Sequence, residues 1–476
     1  MKALQLTVLL AFAFVCTPWA VAQTLVSETI EYDADGNPTR KLLTYAQAPQ
    51  SPPPTAPPPT TPTPAVPPPA GQPQAEDVET VQRRVGQAVF VVAPELPSEE
   101  IPQPDAFNWD FGNPDGKYNQ LPGFNAAHVY EQPGEYLVRF NGEPFLRVEV
   151  APETRPVIRI GSDGDVAAVG KLAVIPEHTQ LLFRRGEKHA IARGMSITRD
   201  GVLIGAYGEG QKPVLVHNAM GGRVMFDVKA NNFTLQDVTI DNAEAGRKAR
   251  ADTLSFTGVG ATIRNVTVLK SHTFVNGNTN PIKVYIEGCD APDRDGLVKY
   301  FLWGQGREFV LLNNTVSNSA GEHCVRLNGM HRVLLFDNDL TELKDYGLIK
   351  GTVTGQGGTY YWIENNRSSV GDLSVGPMAD YPENAPSRTR YVVVRNNRML
   401  AGGDLIFAHG TEYLWAGGNT VEPVGHSPGA IQAGISIQGH SRKWGRALQH
   451  AYIEVPAQTR LETWDNIPES VTIVKK

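Results

Sequence analysis

Eight short β-prone boxes recur between residues 233 and 421: FTLQDVTI, ATIRNVTV, VYIEGCD, FVLLNNTV, VLLFDNDL, YYWIENNR, YVVVRNNR and EYLWAGGNTV. Each carries Asn, Asp or Gly near the end of its apolar run. With Asp237, Asn265, Gly288, Asn313, Asp337, Asn365, Asn396 and Gly418 as equivalent positions, the spacings are 28, 23, 25, 24, 28, 31 and 22 residues. A period in the twenties with one strand per box is the signature of a solenoid. A single coil buries little apolar surface, and stacking makes the core continuous. Asn and Asp suit the bend after each strand, because they tolerate a left-handed backbone and can bond the main chain or the matching residue of the next coil.

These boxes resemble the coils of a right-handed parallel β-helix of the pectin-lyase-like type. TQLLFRRGEKHAI and GVLIGAYGEGQKPVLV, with the bend Tyr207-Gly208-x-Gly210-x-x-Pro213, resemble the first coils of secreted β-helix proteins. The resemblance runs over residues 152–476, about two-thirds of the chain. It implies an all-β fold, and because one fold hosts many activities it says little about chemistry.

Ahead of the solenoid the composition changes four times. Residues 1–22 carry Lys2, the apolar run LTVLLAFAFVC and Ala20-Val21-Ala22 before Gln23, the pattern of a cleaved secretory signal. The expected location is therefore extracellular, periplasmic or at the cell surface. Val15 precedes Cys16, which argues against a lipoprotein anchor, and no other apolar run is long enough to span a bilayer. Residues 23–46 hold two short β-prone runs around Asp-Gly-Asn-Pro, a plain turn that lacks the closing Glu of a calcium loop. Residues 47–77, rich in PPP and TPTP, read as a stiff linker. Residues 78–151 resemble a polycystic-kidney-disease (PKD) repeat through Trp109-Asp110-Phe111-Gly112, His128-Val129-Tyr130, Pro133-Gly134 and Tyr136, with Asn113 departing from the usual residue after the WDFG run. That resemblance implies a small β-sandwich preceding the β-helix, of a kind that usually serves as a spacer or weak adhesion unit.

The net charge is −7 with no basic tract, which argues against nucleic acid as a partner. Cys289 and Cys324 are the cysteines left after signal removal, and the sequence leaves their pairing open. Stacking, not a disulfide framework, must supply the stability of what is expected to be a monomer.

A second strand lies between boxes and ends in glycine. DTLSFTG, HCVRLNG, DYGLIKG and DLIFAHG end at Gly258, Gly329, Gly351 and Gly410. Strand alternation turns the residues two and four before each glycine inward and those one and three before it outward. The outward set contains Arg326, Asn328, Lys350, Phe407 and His409. Counting from the upstream box gives a register two residues different, with Arg326, Lys350 and His409 each 13 residues after Asn313, Asp337 and Asn396. Both registers choose the same face. The glycine alignment also turns Phe301 and Trp303 of VKYFLWG outward as platforms for sugar rings. Each could equally pack beneath a loop.

A polar column stands six residues before the glycines, Asp252, His323, Asp345 and Asp404, with Glu322 beside His323. It reads either as corner capping or as part of a site. Asp252, Asp345 and Asp404 could supply oxygen ligands to Ca²⁺.

This inventory fits a protein that acts on polysaccharide. In β-elimination of an acidic glycan, Arg326 would pair with the uronate carboxylate. Lys350, His409 or His323 would take the C5 proton. In glycoside hydrolysis the acids Glu322, Asp345 and Asp404 would flank the bond instead. A third expectation is a non-catalytic surface β-helix that binds glycan or forms a stalk. Cations outnumber paired acids on the outward face, so the lyase is the preferred expectation, with no cofactor required beyond a possible Ca²⁺.

Overall fold

The computed structural model describes residues 25–32, 38–45, 78–96, 99–172, 174–191, 194–217, 224–242, 251–277, 280–292, 298–319, 324–342, 349–351, 357–368, 373–374, 389–400, 404–407, 410–422, 434–437, 448–457, 460–463 and 468–476. The proposed signal and the Pro-rich linker lie outside these. The chain divides into two units, residues 1–70 and 71–476. In the first, Leu25–Tyr32 and Pro38–Tyr45 pair as an antiparallel hairpin.

The second unit is a parallel β-helix with a small pair of sheets built against it. The boxes form one stack, a 13-stranded sheet with every neighbouring pair parallel and in sequential coil order. Two further stacks join through the long strand Thr267–Gly277 into a 20-stranded sheet. Inward residues fill the tube with stacked apolar columns. Ile263, Ile286, Leu311, Leu335, Ile363, Val394 and Ala416 are fully or nearly fully buried there, and their in-register pairing places each above the last.

The bends follow the box pattern. Asp237, Asn265, Gly288, Asn313, Asp337, Asn365, Asn396 and Gly418 all have φ between 50° and 65°. At Gly418 a Cβ would lie 2.2 Å from Asn396 Oδ1, so the last box needs glycine for space as well as for conformation. The next residue in each bend does more. Asn314, Asn338, Asn366, Asn397 and Asn419 are buried and form a ladder. The Asn338 side-chain oxygen accepts from Asn314 N and Nδ2 at 3.0 and 2.8 Å, Asn366 does the same for Asn338, Asn397 for Asn366 and Asn419 for Asn397. Each Nδ2 also donates to a backbone carbonyl one coil back. The interior corner is thereby made of polar groups whose hydrogen bonds are met. Cys289 stands at the start of the ladder, its backbone N donating to Asn314 Oδ1 at 3.0 Å.

Residues 78–151 form a five-stranded sheet (Thr80–Arg84, Glu143–Ala151, Gly134–Phe140, Asn108–Asp110, Gln120–Pro122) and a two-stranded one (Ala88–Val92, Asn125–Val129). Trp109 and Phe111 are buried between them. Trp109 Nε1 donates to Gly123 O at 2.9 Å and the Tyr130 hydroxyl to Phe111 O at 2.8 Å. Gly112 has φ 65° and sits where a Cβ would meet Leu137 O at 2.7 Å, so the turn after WDF requires glycine.

This sandwich is not strung ahead of the β-helix as a spacer. It shares a core with the outer face of the 13-stranded sheet, where Tyr285, Val310, Leu334, Trp362 and Val393 pack with Phe107 and Phe124. Trp362 lies 5.9 Å from the Phe107 ring and 5.3 Å from Phe124. Polar links cross the same interface. Arg332 donates to Ala93 O and Phe124 O, both at 3.1 Å, Ala88 N to Thr262 Oγ1 at 3.0 Å, and the Tyr118 hydroxyl to Asp337 Oδ2 at 2.7 Å. Cys289 and Cys324 are both buried and form no disulfide among the described residues. Among the described residues no helix is long and apolar enough to cross a membrane.

Candidate functional site

The 20-stranded sheet carries Phe301, Trp303, Arg326, Lys350, Asp404 and Phe407 of the residues singled out from the sequence. Its strand pairing fixes one column through Asn276, Trp303, Arg326, Lys350, Ser374 and Phe407, each the Cα partner of the next. Neighbours in such a column are about 4.8 Å apart. The count from the upstream box therefore gives the register of Lys350 relative to Arg326, and the glycine alignment gives that of Phe407. Lys350, Asp404 and Phe407 are placed by their backbone alone. Glu322, His323, Asp345 and His409 lie outside the described residues.

The inward half of the strand reading holds, since Leu254, Phe256, Val325 and Leu327 are fully buried in the solenoid core. The outward half holds for Trp303, which is half-buried, and fails for Phe301, which is 0% exposed. Phe301 packs inside against Phe274, with ring centroids 5.3 Å apart. The amides of Phe301 and Leu302 both donate to Cys324 O, at 2.9 and 3.3 Å, and the alternation slips by a position here as it does one coil back, where Phe274 and Val275 are both buried in the core. Tyr300 takes the outer side in its place, 4.7 Å from Trp303 in an edge-on contact.

Arg326 lies over the Trp303 ring, its Cζ 4.6 Å from the centroid. Register makes this contact, since the two residues are direct partners on adjacent coils. A guanidinium over an indole is held by cation–π attraction of about 0.5–2 kcal/mol. Arg326 and Asn328 are each 7% exposed, so this part of the face is covered, not an open wet surface. Asn328 N donates to Gly304 O at 2.7 Å, and its Oδ1 is buried with no hydrogen-bond partner among the described residues.

One coil back stands a group the sequence reading did not assemble. Asp252 opens the strand Asp252–Phe256, and His272 and Asn276 lie on Thr267–Gly277 beside it. His272 Nδ1 is 3.2 Å from Asp252 Oδ1 and 3.1 Å from Thr273 Oγ1, while Asn276 Nδ2 donates to Asp252 Oδ2 at 2.8 Å. The His272 ring sits 5.6 Å from Tyr300 and 6.5 Å from Trp303. The signal was SHTFVNG, whose Gly277 pairs with Gly304 and which belongs with the glycine-ended strands.

A single Ca²⁺ cage from Asp252, Asp345 and Asp404 is ruled out by topology. Asp252 and Asp404 lie on strands six pairings apart, about 29 Å at the spacing between parallel strands. Among the described residues no group of three or more His, Cys, Asp or Glu could hold a metal ion.

No protein-family model matches this sequence, and no curated protein does. Two solved structures of GH136 lacto-N-biosidase from Eubacterium ramulus are similar to it, the selenomethionine derivative at a TM-score of 0.34 and 11% identity and the native protein at 0.35 and 12%. Each comparison covers 67% of this chain and 68% of the other. Likeness at that level bears on no residue of the site.

Proposed function

We propose that this chain is a secreted protein acting on an acidic, uronate-containing polysaccharide, which it cleaves by β-elimination on the outer face of the 20-stranded sheet. The observation that carries the reading is the Trp303–Arg326 pair, a cation held against an indole at 4.6 Å and largely shielded from water. A pre-oriented guanidinium offers two parallel N–H groups to a carboxylate, and shielding strengthens that attraction. Pairing the uronate carboxylate with Arg326 spreads the charge that develops when C5 loses its proton. The C5–H electrons then form the C4–C5 double bond, the C4–O bond breaks, and the leaving oxygen takes a proton. Lys350 is the backbone partner of Arg326 on the next coil.

The test is incubation of the full chain with a panel of uronate polysaccharides, with and without Ca²⁺, while ultraviolet absorbance from unsaturated ends is followed. A rise that Arg326→Ala abolishes supports the reading. Reducing ends without absorbance would replace it with glycoside hydrolysis. Retention of glycan without cleavage would replace it with a binding protein.

A further inference from the structure

We infer that His272, oriented by Asp252, is the group that takes the proton in this site. The inference rests on the lyase reading above and assigns its missing base from the contacts of one side chain.

An imidazole acts as a base only if one nitrogen is fixed as a donor and the other is left with its lone pair directed at the substrate. The contacts of His272 meet the first condition and leave Nε2 for the second. Its Nδ1 faces Asp252 Oδ1 at 3.2 Å and the Thr273 hydroxyl, which can accept as well, at 3.1 Å, and Asn276 Nδ2 donates to the other carboxylate oxygen at 2.8 Å. A carboxylate so placed accepts the Nδ1 proton, sets the tautomer with Nε2 unprotonated, and stabilises the imidazolium formed after transfer. Nε2 has no hydrogen-bond partner among the described residues. A base oriented by a third group is the general arrangement of proton-transfer sites.

Position supports the assignment. His272 and Arg326 approach Trp303 from the coils before and after it, the histidine ring 6.5 Å and the guanidinium carbon 4.6 Å from the indole centroid. Their strands are two pairings apart, about 10 Å at the backbone. One sugar ring, bonded to a side chain on each side, spans such a gap. A uronate with its carboxylate on Arg326 therefore turns its C5 edge toward the coil of His272. The Nε2 lone pair takes the C5 proton, the C5–H electron pair becomes the new double bond, and the C4–O electrons leave with the departing sugar oxygen. The imidazolium then returns its proton to that oxygen or to water, so no oxidant, reductant or further reactant is consumed.

The experiment compares the full chain with His272→Ala and His272→Gln, whose amide can still bond Asp252, on a polysaccharide that the native protein cleaves. The expected result is a fall in kcat of about 10²–10⁴-fold with substrate binding retained, and partial recovery of His272→Ala by added imidazole. Asp252→Asn should lower kcat with unchanged binding. Unimpaired turnover in a folded His272 variant overturns this inference and leaves the lyase reading standing. A kcat loss in both variants that imidazole does not restore assigns His272 to structure and overturns it as well. No unsaturated product from the native protein on any uronate glycan removes the lyase reading and this inference together.

Discussion

Trp362→Ala tests whether the sandwich and the β-helix are one cooperative structure. The indole is fully buried in the shared core, against Phe107 and Phe124. Removing such a side chain costs about 3–5 kcal/mol in transfer and cavity terms. Its Nε1 also donates to Glu364 Oε2 at 2.8 Å, but that buried carboxylate keeps Arg395 Nε at 2.8 Å, so the added penalty is about 1 kcal/mol. Trp362→Phe, which keeps a ring and loses the donor, should cost about 1–2 kcal/mol. The assay is native-state hydrogen exchange of the amides in Asn125–Val129 on the sandwich and His331–Phe336 on the solenoid. If the shared core holds both, Trp362→Ala lowers protection in both strands together, by roughly three to four and a half powers of ten. Unchanged protection in Asn125–Val129 would refute the argument, because the sandwich would then be stable without the surface it covers.

Three further outcomes follow from the same contacts. Asn366→Ala removes the acceptor for Asn338 N and the donor to Leu335 O and Glu364 O, so a loss of about 3–5 kcal/mol is expected in urea unfolding, and Asn366→Asp, with no donor, should recover little. His128 is neutral in the fold, its pKa pushed down to about 4 by burial, and the unfolded chain binds a proton near 6.5 that the native state refuses. The sandwich should therefore keep full stability above pH 6.5 and lose about 3 kcal/mol as pH falls from 6.5 to 4. Asn113 Nδ2 sits 2.9 Å from His128 Nε2, and Asn113→Asp, which presents an acceptor instead, should flatten that slope in pH-dependent denaturation. Finally, burial pushes the Cys289 thiol up to about 12, so neither it nor the buried Cys324 should react with a thiol reagent until the chain unfolds.

The solenoid was legible because its signal is local. Asn, Asp or Gly at the end of each box dictates the bend within two or three residues, and every such bend has the left-handed backbone that the residue type implies. The docking of the sandwich was also written in the boxes, though in a pattern that alternation hides. VLLF, YYWI and YVVV are apolar on both faces, as in strands covered on both sides, and their outward residues meet Phe107 and Phe124. What could not be read were features decided by a partner coil. The inward turn of Phe301 is shared with Phe274, 27 residues earlier on the neighbouring coil. The Asp252–His272 contact spans 20 residues and needs a strand that continues through a corner where neighbouring coils break.

The asparagine ladder has a consequence for how such a chain can change. It joins positions 24, 28, 31 and 22 residues apart with nearly the same hydrogen bonds. One corner of each coil is thus fixed in space while the length of the coil is not. Insertions are displaced to the other corners, beside the 20-stranded sheet. Differences in coil length along this chain are therefore taken up beside the face that carries Trp303 and Arg326, without disturbing the stack beneath.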